Sequence, residues 1–160
     1  MKRRTFIGAL ALFSLKMAFP RLCFAQPEDK EIYFWLDKQM GAAYENGQLV
    51  RSFRIISGYD GPATSQDGSR IYYKPTPKEK HRIISKTKNG YSRRYNAEMP
   101  YAMQFRPGYF IHAWSRDESL PAPGHPYASH GCISVDFPVA EWLFYWTPIG
   151  TPVYIWEERT

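Results

Sequence analysis

The arrangement of apolar and polar positions along this chain is mainly that of β-strands. Residues 32–36, Ile-Tyr-Phe-Trp-Leu, combine aromatic and branched side chains that fit a pleated, half-buried surface. Residues 40–44 and 49–56 read as two further strands flanking Glu45-Asn46-Gly47. Asn-Gly is a strong signal for a tight hairpin turn, because both positions tolerate positive φ. Additional strands are predicted over 82–85, 101–105, 109–113 and 153–156. One helix is predicted, over 137–146: Asp136 is placed to cap it, Pro138 fits its first turn and Pro148 follows its end. Val139, Trp142, Leu143 and Trp146 recur three and four apart and predict its buried stripe. Residues 58–69 and 115–128 carry no such pattern and read as long loops, which are disproportionately functional. The expectation is a mainly β domain with one helix near the C-terminus.

The first 25 residues stand apart from that domain. Lys2, Arg3 and Arg4 precede a short apolar run over 5–15, and Cys23-Phe24-Ala25 places small residues where a signal peptidase reads them. The segment reads as an export signal, and Arg3-Arg4-Thr5-Phe6-Ile7 resembles the twin-arginine type; an ordinary secretory route and an uncleaved N-terminal anchor are the alternatives. The run is too short to span a bilayer, and Lys16 interrupts it. The domain organisation is then a signal over 1–25 and one domain over 26–160.

Removing the signal changes two readings. The chain as a whole carries 21 Lys and Arg against 15 Asp and Glu. Five of the basic residues (Lys2, Arg3, Arg4, Lys16, Arg21) lie in the signal, so the remainder is close to neutral, at +1. The basicity is therefore a targeting feature and gives no support to nucleic-acid binding. Cys23 also leaves, and Cys132 becomes the sole thiol of a protein bound for an oxidising compartment. Without a disulfide partner it is either buried and inert or present to react.

Ser129-His130-Gly131-Cys132 favours the reactive choice. A thiol becomes a good nucleophile when an imidazole takes its proton and dipoles stabilise the thiolate. Gly131 permits a tight turn that aims consecutive amide hydrogens at one point, where an oxyanion forms in acyl transfer. A second histidine, His112, ends the predicted strand Phe110-Ile111-His112-Ala113, and the loop from Ser115 returns the chain to Cys132. Asp117 and Glu118 lie in that loop, but a triad does not require them. His81 is distant in sequence, His125 reads as a loop residue, and His112, His130 and Cys132 form a zinc set only in principle. No metal or cofactor is expected. The basic runs at 86–88 and 93–94 read as solvated surface, drawn toward an anionic wall.

His112, sixteen intervening residues, and then Ser129-His130-Gly131-Cys132 resemble the signature of the L,D-transpeptidase catalytic domain, the YkuD domain. Asn46-Gly47, Ser57-Gly58, Pro75-Thr76-Pro77, Met99-Pro100-Tyr101 and the residues 108–112 resemble family segments in the same order, so the likeness spans most of 31–156. The resemblance implies a β-sandwich or barrel-like fold and a cysteine acyltransferase acting on peptidoglycan stem peptides, as donor and acceptor, in the periplasm or at the cell wall. It implies Cys132 as nucleophile and His112 as base, with the backbone carbonyl of Ala113 orienting the ring. The backbone amides of His130, Gly131 and Cys132 would make the oxyanion hole, with Ser129 and His130 shaping the loop. It also implies sensitivity to carbapenems. Two positions depart from the family: Ser134 stands where Arg or Asn is usual, and Thr76-Pro77-Lys78-Glu79 lacks the glycine of Thr-Pro-x-Gly. Hydrolysis of the same acyl-enzyme by water, giving an L,D-carboxypeptidase or endopeptidase, is the close rival. A non-catalytic wall-binding module is the distant one.

Overall fold

Alternation along the first strand sets the architecture. In β1 (Lys30–Trp35) Ile32 and Phe34 are fully buried, while Tyr33 and Trp35 on the opposite face remain partly exposed. The structure is a computed structural model describing residues 29–58, 62–64, 71–121 and 129–157; the export signal and His125 lie outside these. β2 (Met40–Glu45) and β3 (Gln48–Arg54) follow as a hairpin, with Asn46 at φ 53° and Gly47 at φ 74°. Two positive φ values are what a turn matched to the right-handed strand twist requires. β11 (Pro152–Trp156) pairs with β1 in parallel and β6 (Glu79–Arg82) joins its far edge, completing a five-stranded sheet in the order β3-β2-β1-β11-β6.

A second, four-stranded sheet has the order β10-β9-β8-β7, from β7 (Ser85–Ser92), β8 (Ala97–Arg106), β9 (Tyr109–Ala113) and β10 (Ile133–Val135). β9 and β10 are parallel, and the other pairs are antiparallel. Short β4 (Pro62–Thr64) and β5 (Ile71–Tyr73) pair with each other. Both large sheets contribute to one apolar core: Phe53, Val153 and Ile155 from the first meet Met103, Phe105, Ile111, Ile133 and Val135 from the second. Burying each such side chain contributes about 1.5–3 kcal/mol. The sheets remain separate, so the fold is a sandwich and not a closed barrel.

Several elements differ from the sequence expectation: β4 lies inside the expected loop 58–69, and β5, β6 and β10 were not expected. The strand expected over 82–85 is a crossing point: the Ile83 amide donates to Thr151 O at 3.0 Å and the Ile84 amide to Gln104 O at 2.8 Å. Successive amides of an extended chain point in opposite directions, so these two residues stitch one sheet to the other. β7 was not expected, because Ser-Lys-Thr-Lys-Asn-Gly-Tyr-Ser offers no apolar face. The helix α1 (Phe137–Trp146) has the expected bounds, but its buried stripe is Val139, Ala140 and Leu143. Trp142 and Trp146 stack on each other at 5.2 Å along its half-buried side. Asp136 precedes the helix without capping it; its Oδ1 accepts the Leu120 amide at 2.7 Å and anchors the loop after β9.

Candidate active site

Parallel pairing of β9 and β10 brings the two chemically interesting residues together. Ile111 faces Ile133 and His112 faces Ser134 in the register. Ile111, Ala113, Ile133 and Val135 point into the core. By alternation Phe110, His112, Cys132 and Ser134 share the opposite face. All four line a cavity of about 850 Å³. Segment 56–58 seals the far side of β10: Ile56 and Ser134 exchange backbone hydrogen bonds at 2.9 and 2.8 Å, and the Ser129 amide donates to Ser57 O at 3.0 Å.

The motif loop is held by its own groups. Ser129 Oγ donates to the Cys132 carbonyl and accepts the Gly131 amide at 3.2 Å. Of the three amides expected to face an oxyanion, that of Gly131 is therefore turned into the loop. Gly131 has φ +95°, and a Cβ there would stand 2.6 Å from the Tyr109 ring. Only glycine fits this place. His130 stacks on Tyr95 at 4.1 Å, and burial with the charges of Lys74 and Arg94 holds its pKa below the usual value.

His112 Nδ1 lies 2.7 Å from the Ala113 carbonyl. A carbonyl only accepts, so Nδ1 carries the proton and Nε2 is left as the acceptor. Burial lowers the His112 pKa, and the Ala113 hydrogen bond opposes that in part. Burial raises the Cys132 thiol, against a smaller opposing effect from a Phe110 backbone hydrogen bond and the Lys74 charge. Both shifts run toward the neutral forms, an unprotonated ring and a protonated sulfur. Burial of both groups opposes the thiolate enrichment that pairing with His112 would give. Loss of water outweighs attraction for both groups.

The YkuD family model, the L,D-transpeptidase catalytic domain, matches residues 29–155. The chain belongs to this family. An L,D-transpeptidase from Xylanimonas cellulosilytica is 28% identical with a TM-score of 0.63, covering 82% of this chain and 62% of its own. One from Stackebrandtia nassauensis shows the same fold at 19% identity and a TM-score of 0.65, covering 82% and 57%. An Enterococcus faecium L,D-transpeptidase mutant aligns at 22% identity and a TM-score of 0.63, covering 81% and 50%. The chain thus spans less than two thirds of each of these solved chains. No curated protein matches it.

Around the L,D-transpeptidase motif the structure adds residues that the sequence did not single out. Lys74, Tyr91, Arg93, Arg94 and Tyr95 line the same cavity as Cys132. The arginines expected as plain surface thus border the site, and Lys86 is also not free-standing: its Nζ donates to Thr147 O at 2.7 Å and lies over the Phe144 ring. Spacing alone gave no sign of this, because β7 itself was not legible. Glu118 borders the cavity, whereas the Asp117 amide binds Ser115 Oγ. His81 sits in the other sheet, its Nε2 3.0 Å from Lys78 O. Among the described residues no group of three or more His, Cys, Asp and Glu is placed to hold a metal, and no helix is long and apolar enough to cross a membrane.

Proposed function

We propose that the chain is an exported L,D-transpeptidase that forms a thioester on Cys132 and passes it to an amine of peptidoglycan. The observation carrying this is the shared face of β9 and β10: Cys132 and His112 line one cavity, with the histidine tautomer fixed so that Nε2 is the available base. As the donor stem peptide displaces water, the thiol proton passes to Nε2 and sulfur attacks the carbonyl carbon of the L-centre. The carbonyl oxygen takes up the electron pair, facing the amides of Cys132 and His130. Collapse breaks the C–N bond, and the terminal D-residue leaves as an amine after receiving the proton from His112. An acceptor amine, of a diaminopimelate side chain on the family pattern, then attacks the thioester with His112 again as base. The thiol is regenerated.

The directions of the two shifts suit this sequence of steps. A lowered histidine favours the unprotonated base, and a raised thiol favours the protonated sulfur until substrate arrives. Lys74, Arg93 and Arg94 line the cavity and offer cations to the carboxylates of a stem peptide, while Glu118 offers an anion to its amines. Residues 1–25 would deliver the enzyme to the periplasm or cell wall.

Incubation with a tetrapeptide stem tests the reading. A crosslinked dimer from wild type and none from Cys132→Ala is expected; tripeptide alone would assign hydrolysis instead. A related L,D-transpeptidase has been solved in complex with imipenem. A carbapenem adduct on Cys132, seen by intact mass and absent from Cys132→Ala, is the second expectation. No adduct and no turnover would leave a wall-binding module.

A further inference from the structure

Three backbone segments meet behind Cys132, and one side chain pins them. Thr76 is 1% exposed. Its hydroxyl donates to the Gly131 carbonyl at 3.0 Å and accepts the Gly58 amide at 2.8 Å. These partners lie 55 and 18 residues away in the chain. The junction is too tight for side chains at the glycines: a Cβ on Gly58 would stand 2.3 Å from Lys74 O and 2.7 Å from the Gly131 Cα.

The Gly131 carbonyl belongs to the same peptide unit as the Cys132 amide. That unit is planar, and in the trans form its C=O and N–H point in opposite directions. The chain contains no cis peptide among the described residues. Fixing the carbonyl on Thr76 therefore fixes the direction of the Cys132 N–H, away from Thr76. Gly131 lacks the Cβ that would otherwise limit rotation of this peptide plane, so an external restraint is needed. The two flanking peptides are restrained separately, both by Ser129, through the Gly131 amide on one side and the Cys132 carbonyl on the other.

We infer that Thr76 is a positioning residue, which aims the Cys132 amide at the oxyanion through its hydrogen bond to the Gly131 carbonyl. This rests on the acyl-transfer reading above and adds to it a group that never touches substrate. It also gives a purpose to the Thr-Pro of a segment that here lacks its glycine.

Two reactions of the same sulfur separate aim from mere support. Acylation by a carbapenem passes through a tetrahedral oxyanion, whereas alkylation by iodoacetamide displaces iodide at a saturated carbon and develops none. Both rates are followed by intact mass on one preparation of the full chain, with peptide mapping to distinguish Cys132 from Cys23. Thr76→Val, close in shape but without the hydroxyl, is expected to slow acylation by ~10²-fold and to leave alkylation near wild type. Thr76→Ser, which keeps the hydroxyl, is expected to recover most of the acylation rate. An unfolded chain is alkylated without being acylated, so both rates are taken on the folded fraction isolated by size exclusion, with a melting curve matching wild type, and Thr76→Ala serves where the valine variant does not fold. Equal losses in both reactions, or unchanged acylation in the valine variant, would overturn the inference. A wild-type chain that is alkylated but never acylated would remove the acyl-transfer reading, and this inference with it.

Discussion

Behind Cys132 the chain packs backbone against backbone, while in front of it the turn between β7 and β8 presents long side chains. Gly58, Gly131 and the segment 74–76 approach so closely that a single Cβ collides with main-chain atoms. In front, Tyr91 is 53% exposed and Tyr95 is 38% exposed, and Arg93 and Arg94 are exposed beside them. Main-chain contacts allow few alternative arrangements, whereas exposed side chains reorient at little cost. The reacting atoms are thus held by the part of the molecule that substitution alters least. On the proposed function, recognition falls to the part it alters most.

Substitutions on the two sides should then differ in kind as well as in size. Replacing the sulfur is the largest: Cys132→Ala should abolish tetrapeptide turnover and leave the melting temperature near wild type. His112→Gln should follow, lowering kcat/KM by ~10²–10⁴-fold, the usual worth of a general base. Gly58→Ala should act through the fold, destabilising by about 1–3 kcal/mol as backbone is forced apart, read as a lower midpoint in urea. A melting curve and urea midpoint unchanged in Gly58→Ala would remove the contrast between the two sides.

The pH profile sharpens the same contrast. On the proposed mechanism the neutral ring works as the base, and burial holds His112 below the usual histidine value. The acid limb of kcat/KM should therefore lie below ~6.5, since the rate falls only as pH drops through the lowered pKa. Burial raises the thiol, so alkylation of free enzyme should rise with pH at a midpoint above the ordinary thiol value. A midpoint below it would point to a standing ion pair with His112. The smallest effect belongs to the front: Tyr95→Ala removes the stack on His130, worth about 0.5–1.5 kcal/mol. It should lower stability by no more than that amount and weaken kcat/KM by roughly tenfold or less.

What the sequence revealed divides along the same line. β1, β9 and β11 were legible from their aromatic and branched side chains, β2 and β3 from the Asn46-Gly47 turn between them, and the bounds of α1 from Pro138 and Pro148. The same dipeptide at Asn89-Gly90 marks none: it lies inside β7, where Gly90 sits opposite Met99. That polar strand exists because β8 supplies a ladder for it, which no local pattern announces. Cys132 and His112 were legible because their neighbours form a specific motif. The Thr76 junction was not, since its parts are scattered and each is unremarkable alone. Nor was the electrostatic state of the pair, because desolvation depends on what the finished fold places around each group.

One consequence follows from the parallel pairing of β9 and β10. Strands running the same way cannot be joined by a tight turn, so the chain between His112 and Cys132 must make a long return. The ladder bonds of the sheet set the spacing between the two strands, and the return is tied down at Leu120, held by Asp136, and at Ser129, held by Ser57. Changes of length or charge placed between those two ties would leave the strand pairing and the motif turn intact, a handle, on the proposed reading, for redirecting which wall fragments are admitted.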